Sequence, residues 1–343
     1  MNARIRMQRR IRNALTPGGL ILMYHRIAEA EVDPWSLCVS PSVFASQMKA
    51  IREVASPMPL RELVRRARER TLPPRAVAVT FDDGYEDNAV EASPILKRRE
   101  IPATIFVTAD AIGSGQPFWW DELQSIFLQR PTLPRRLRLR IGPTAHEWEV
   151  GSAAEMHPAM VKRHSAWKAL EPAPTERHRI YQELAYQLRA LQPVERLEVI
   201  EQLREWSGSD VEAVAGRPLS AAAVSRLSES APIEVGAHSR THGCLGKLSV
   251  LQQTQEIAGS RSALENLTGR PVLSFAYPFG AATDFTPDTV ALVRQAGFEL
   301  ACTSEPGAVR PETNAFHLPR MQPINWSGAE LAARVLWWAR SQS

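Results

Sequence analysis

Several things are scarce or missing in this 343-residue chain, and each absence narrows its chemistry. Cysteine is scarce: Cys38, Cys244 and Cys302 are odd in number and far apart. That excludes a disulfide framework as the source of stability and points to a reducing compartment. No apolar run reaches the roughly 18 residues that a membrane-crossing helix needs. The charged start is not followed by a signal-type apolar segment, because Leu20 to Tyr24 is short and ends at His25. The expectation is a chain that begins near Met1 and works in the cytoplasm. Internal repeats and low-complexity tracts are also missing, which excludes solenoid and repeat-array architectures.

What is present is an ordinary globular composition with one biased end. A hydrophobic share of 44% is enough for a large core, in one elaborated domain or two. The net charge is +4, and much of the base is at the start, where Arg4, Arg6, Arg9, Arg10 and Arg12 alternate with Ile5, Met7 and Ile11. This segment reads either as a short basic amphipathic helix on an anionic membrane face or as a frayed, solvated terminus. The expected location is therefore cytoplasmic, with peripheral contact at the inner membrane face left open. No basic stripe with interleaved aromatics follows, so nucleic acid is not an expected partner. Nothing in the sequence fixes the oligomeric state.

Apolar runs alternate with helical patterns. Gly19 to Tyr24, Val77 to Phe81, Ala103 to Val107, Ile233 to Ala237, Val272 to Ala276 and Leu300 to Thr303 read as buried strands. Helices are expected from Pro41, over Leu60 to Glu69, from about Asp87 with an interruption at Pro94, from Ser220, over Leu251 to Leu267 and over Pro287 to Ala296. Such alternation means βα units and a mainly parallel α/β sheet or barrel. The rhythm breaks after Gly115. A basic, Pro-punctuated stretch and two helical patterns, Tyr181 to Leu191 and Pro193 to Trp206, follow. The expected organisation is a basic segment at 1–17, a first barrel part at 18–115, an inserted, mostly helical subdomain at 116–218, and a second barrel part with a C-terminal helix at 219–343.

The strand ends carry the polar residues. The first strand ends in His25, the second in Asp82-Asp83, and Ile233 to Ala237 in His238-Ser239-Arg240-Thr241-His242. In a βα barrel, strand C-termini converge on one face, where active sites form. Two histidines at i and i+4 can address one ion, and two His with one Asp suit zinc with open positions. The other Asp would remain as a base. Each piece has a plainer explanation: a helix cap for the acidic pair, a half-buried surface for the histidines, a satisfied polar group for His25. All three at strand ends are harder to explain as packing.

At these residues the sequence resembles the polysaccharide deacetylase family of carbohydrate esterases. Thr80-Phe81-Asp82-Asp83-Gly84 looks like the family's first motif and His238-Ser239-Arg240-Thr241-His242 like its second. The resemblance implies a distorted, partly open (β/α) barrel, with Asp82 as catalytic base. Asp83, His238 and His242 would hold zinc (Zn2+) or another divalent transition metal. It covers about 18–115 and 219–325 and leaves out the insertion. Two departures matter. The third motif, usually Arg-x-Pro-Tyr, reads Ala276-Tyr277-Pro278-Phe279, so the arginine that orients the base is missing. The Phe279 main-chain N–H remains the expected oxyanion donor. Arg320, in His317-Leu318-Pro319-Arg320, is the candidate replacement for the arginine. The family's late Leu-His motif is also absent, since Arg320 stands where His is expected. Leu22-Met23-Tyr24-His25-Arg26 resembles a circularly permuted branch that includes exopolysaccharide N-deacetylases, which makes His25 the expected general acid and His317 the second candidate.

The resemblance implies a metal-dependent hydrolase that removes N-acetyl groups from a polysaccharide, oligosaccharide or lipid-linked glycan precursor. A glycan O-acetyl esterase or a deformylase would use the same site. A degenerate glycan-binding module is the non-enzymatic alternative, suggested by the altered third motif and opposed by the intact Asp and His set. Trp119 and Trp120 are candidates for stacking on sugar or for packing, and Trp337-Trp338 for core or an interfacial anchor.

Overall fold

Gly18-Gly19 is followed by β1 (Leu20–Tyr24), in which every residue is buried. A run that is apolar on both faces suits a parallel sheet covered on both sides. The computed structural model, which describes residues 18–210, 214–229 and 232–341, pairs β1 with six further parallel strands. These are β2 (Ser56–Pro57), β3 (Ala76–Phe81), β4 (Ala103–Val107), β5 (Ile233–Ala237), β6 (Ser274–Ala276) and β7 (Leu300–Cys302). The order is β1-β3-β4-β5-β6-β7, with β2 beside the start of β3. The basic segment at 1–17 lies outside the described residues.

The sheet curls, and an irregular late segment bridges its first and last strands. Leu318 pairs with Cys302 of β7, and Met321 pairs with Leu22 of β1. Met23 N–H donates to the Met321 carbonyl at 2.8 Å, and Thr303 N–H to the Leu318 carbonyl at 2.9 Å. Isolated bridges do not make a full strand, so this is the distorted, partly open barrel expected. The closure carries Arg320 to the inside. Gly236 of β5 makes room for the Phe106 ring, because a Cβ there would lie 2.5 Å from Phe106 Cδ1.

Helices between the strands begin where local chemistry dictates. Ser40 accepts the Val43 N–H, and Pro41 opens α1 (Pro41–Val54). Leu60 to Glu69 forms α2, as its spacing predicts. The helix expected from Asp87 starts as a wide π turn, Asn88–Ala92, and becomes α3 (Ser93–Arg99). Pro94 has no N–H to give to the preceding turn, and the wider turn absorbs that loss. Then come α4 (Ala221–Glu229), α5 (Val250–Thr268), α6 (Pro287–Gln295) and α7 (Gly328–Ser341). On α7, Trp337 is 67% exposed, while Trp338 packs against the barrel core.

The chain divides into two compact units. The barrel unit holds residues 18–29, Cys38–Ile112 and Leu219 onward. The second unit holds Ala30–Leu37 and Gly113–Pro218. Nothing in the sequence marks 30–37 as part of it. Within that unit Trp35 Nε1 donates to the Tyr181 hydroxyl at 2.7 Å, and Gln124 Nε2 to the Val32 carbonyl at 2.8 Å. Helices Glu176–Ala190 and Pro193–Ser207 pack over a core that includes Phe127, Leu137, Trp148 and Leu184. The stretch read as basic and Pro-punctuated is a β-hairpin, Arg136–Ile141 against Thr144–Glu149. Leu137 and Leu139 face inward, while Arg136 and Arg138 face out and pair with Glu147 and Glu149. Trp120 is 9% exposed and stacks on Phe118 at 4.6 Å, and the Arg196 guanidinium covers Trp119 at 5.3 Å. Both rings are packed against neighbours within this unit.

Candidate active site

The C-terminal ends of the strands bring the chemistry to one face of the barrel unit. Asp82 and Asp83 follow β3, and the Asp82 N–H donates to the Tyr24 carbonyl at 2.9 Å, which ties the acidic pair to β1. His238 follows β5, and its N–H donates to the Val107 carbonyl of β4 at 3.0 Å. Asp83, His238 and His242, all buried, offer three ligand atoms within 4.8 Å of one another. His238 Nε2 lies 3.4 Å and His242 Nε2 3.3 Å from Asp83 Oδ1. His238 Nδ1 lies 2.8 Å from the Ala276 carbonyl. That acceptor fixes the proton on Nδ1 and leaves Nε2 to bind, as in orientated metal ligands. Two imidazole nitrogens and one carboxylate oxygen fit a divalent transition ion with open positions.

The carboxylates and imidazoles also act on one another electrostatically. Burial pushes the Asp83 carboxyl up, but hydrogen bonds and charge from His238 and His242 outweigh it and hold the group well below its ordinary range. Burial pushes His238 down, and the Asp83 hydrogen bond with the Asp82 charge lifts it above its usual value.

The backbone here is unusual. Among the described residues, eight non-glycine residues have positive φ, and four of them are Asp83 (70°), Ser239 (59°), His242 (56°) and Phe279 (61°). The left-handed region costs an L-residue about 1–2 kcal/mol, so it persists where neighbours over-determine it. Gly84 N–H donates to the Asp82 carbonyl at 2.9 Å, Thr108 N–H to the Asp83 carbonyl at 3.1 Å, and His242 N–H to Ser239 Oγ at 3.1 Å. The concentration of such residues at one place marks it as more than packing.

Asp82 does not join the three ligand residues. Arg320 grips it instead, Nη1 to Oδ1 at 2.7 Å and Nη2 to Oδ2 at 2.6 Å. Arg320 is 1% exposed, and its Nε donates to the Thr303 carbonyl at 2.7 Å, its Nη1 to Thr80 Oγ1 at 3.2 Å. Burial pushes the Asp82 carboxyl up, but the Arg320 charge leads the opposing effects, and the net is below the usual value. Burial pushes the neighbouring Cys302 thiol up to about 12, so it stays neutral.

The remaining candidates sit around this centre. The His25 imidazole lies close enough to interact electrostatically with both Asp82 and Asp83. Its Nδ1 is buried without a hydrogen-bond partner among the described residues, and its carbonyl accepts from Asn88 Nδ2 at 2.8 Å. His317 is engaged elsewhere, with Nε2 2.5 Å from Glu305 Oε2 on a half-exposed pair. The Phe279 ring meets His242 edge to face at 4.7 Å, on the left-handed turn after Pro278. Sequence reasoning missed the Ala276 carbonyl and Thr80. A main-chain acceptor has no residue signature, and Thr80 reads as an ordinary strand residue.

The model of the polysaccharide deacetylase family matches residues 69–191 and 206–301, well over half of the chain. The chain belongs to the polysaccharide deacetylase family. The match runs into the segment 116–218, which the motif resemblance leaves out. YxkH of Bacillus subtilis (strain 168) is 34% identical over 95 residues, which is 27% of this chain and 33% of YxkH. The matched part thus spans about a third of that relative. Solved structures share the fold. BC0361, a polysaccharide deacetylase from Bacillus cereus, has a TM-score of 0.56 at 18% identity, over 93% of this chain and 69% of its own. IcaB from Ammonifex degensii has a TM-score of 0.56 at 19% identity, over 94% and 97%. The Streptococcus pyogenes deacetylase PplD, solved with acetate, has a TM-score of 0.53 at 18% identity, over 93% and 98%. The polysaccharide deacetylase family is metal-dependent in general, and the Asp83, His238 and His242 set here fits that requirement.

Proposed function

We propose that this protein is a metal-dependent hydrolase that removes N-acetyl groups from a carbohydrate. The observation that carries the reading is the separation of the two adjacent carboxylates. Asp83 shares a pocket of buried ligand atoms with His238 and His242, while Asp82 is held by Arg320. Asp83, His238 and His242 would hold zinc or another divalent transition metal. When bound there, such an ion polarises the acetyl carbonyl and acidifies water.

The residues then have separate tasks. Asp82 takes a proton from the attacking water, and Arg320 keeps its carboxylate ionised and fixed in direction. The Phe279 N–H donates to the oxygen that becomes negative at the tetrahedral stage. His25, protonated, gives its proton to the departing amine nitrogen. An amine leaves poorly without that proton. His25→Ala is therefore expected to keep its metal and lose about 10²–10⁴-fold in turnover, with little change in KM. Unchanged turnover in that variant would remove His25 from the role, and His317→Ala would then be the next variant to assay.

The substrate is proposed as a polysaccharide, oligosaccharide or lipid-linked glycan, and the cytoplasmic location as an expectation that rests on sequence alone. Release of acetate from a panel of N-acetyl and O-acetyl glycans by the metal-loaded protein tests the reaction. Release from the amides supports the proposal. Release from the esters alone contradicts it and favours an O-acetyl esterase, whose leaving alkoxide depends less on a protonated His25.

A further inference from the structure

The two histidine ligands are linked by a short turn, and a residue outside the motifs holds that turn. We propose that Glu256, on α5, is a positioning residue for His238 and His242: its carboxylate sets the backbone from which both imidazoles project. The proposal rests on the metal-site reading above.

The observations are direct. Glu256 Oε2 accepts the Arg240 N–H and the Thr241 N–H, each at 2.9 Å. Its Oε1 accepts the Thr241 hydroxyl at 2.7 Å. Glu256 is 8% exposed, and its carboxylate also acts electrostatically on Arg240. A buried carboxylate is costly unless its oxygens are well supplied with donors. Two successive N–H groups converging on one oxygen make an anion-binding nest, and a charged acceptor strengthens each bond.

The turn needs such an anchor. Ser239 and His242, on either side of Arg240 and Thr241, both have left-handed φ. Each relaxes toward ordinary backbone unless its neighbours prevent it. On its outer side the turn is tied by Arg240 to Asp110, Nε to Oδ1 at 3.0 Å. Arg240 reaches Asp110 by crossing Gly259 of α5, where a Cβ would lie 2.6 Å from Arg240 Cδ. That pair is substantially exposed, at 44% and 37%, so it contributes little rigidity. Main-chain bonds tie the carbonyl side of the turn, Ala109 N–H to the Ser239 carbonyl at 3.1 Å and Asp110 N–H to the Arg240 carbonyl at 2.9 Å, and Glu256 is the buried anchor of its N–H side. With it, the ligand atoms of His238 and His242 are set before an ion arrives. Without it, the Arg240 and Thr241 N–H groups lose their acceptor, and ion binding must also fix that side of the turn.

The test is zinc affinity of the chelator-stripped full chain, read by competition with a chromophoric chelator, for the parent, Glu256→Ala, Glu256→Gln and Thr241→Val. The parent is expected to bind one ion. Glu256→Ala should bind it about 10–100-fold more weakly, the range for removing a group that orients ligands. Glu256→Gln keeps one oxygen for the two N–H groups, and Thr241→Val removes only the third bond, so both should lose less. Thermal unfolding of the stripped proteins separates a local role from general damage. A lowered melting temperature with parent-like zinc affinity in the folded Glu256→Ala protein overturns the proposal. If Glu256→Ala does not fold, parent-like affinity in both Glu256→Gln and Thr241→Val overturns it. A parent that binds no ion overturns the metal reading itself, and this proposal with it.

Discussion

Asp83→Asn is expected to purify without its metal and to release no measurable acetate. Asn tolerates left-handed backbone, so it keeps the φ of 70° at this position while removing the anionic ligand. Asp83→Ala should lose the ion as well and also unfold about 1 kcal/mol more easily, because alanine is strained there. His238→Ala removes a nitrogen ligand and leaves the Ala276 carbonyl without its imidazole donor. In each case the fall in metal affinity should exceed the roughly 100-fold upper range seen when a supporting group is lost. Metal analysis of the purified variants, beside circular dichroism to show that they fold, measures this. Stoichiometric metal in Asp83→Asn would show that the ion sits elsewhere.

Arg320→Met is expected to be the most damaging change away from those ligands. It leaves the buried Asp82 carboxylate without its paired guanidinium, and breaking a buried pair on one side costs about 3–5 kcal/mol. Arg320→Lys keeps a charge but loses the two-pronged grip, so it should recover only part of the loss. Activity falls in both variants, because weakening the largest effect that opposes burial raises the Asp82 carboxyl and makes it a poorer proton acceptor. The pH dependence has a defined sign. Asp82 is held below its ordinary value in the parent, so the pair's stabilisation is present above the unfolded carboxylate pKa of about 3.9 and is lost as pH falls through the lower folded value. The deficit of Arg320→Met against the parent should therefore shrink in acid. Urea unfolding at neutral pH and below about pH 4 reads that difference. Parent-like acetate release by Arg320→Met would remove Arg320 from its assigned role.

Much of the barrel is legible in the sequence because its strands are short, uninterrupted apolar runs. Ala103–Val107 and Ile233–Ala237 begin and end where their composition changes. The site is legible to the same extent, because Asp82, Asp83 and His238 fall where those runs stop. Arg320 illustrates the limit. The sequence offers it only as a candidate for the missing third-motif arginine, because Asp82 lies 238 positions away and meets it through the segment around Pro319 that closes the barrel. Glu256 looks like any charge on a helix until its two backbone donors are seen. The hairpin at Arg136–Ile141 was hidden by its own composition: alternating Arg and Leu reads as a basic stretch unless the period of two is weighed above the charge. The left-handed residues at the site are non-glycine, so no composition rule marks them.

The division of labour between adjacent carboxylates is the central claim, and one titration tests it most directly. The full chain is stripped of metal, zinc is added back in steps, and acetate released from an N-acetylated oligosaccharide is measured at each step. No release is expected from the stripped protein, followed by a rise in proportion to bound zinc that stops at one ion per chain. Acetate release that is already complete in the stripped protein, or that never appears at any occupancy, would contradict the account.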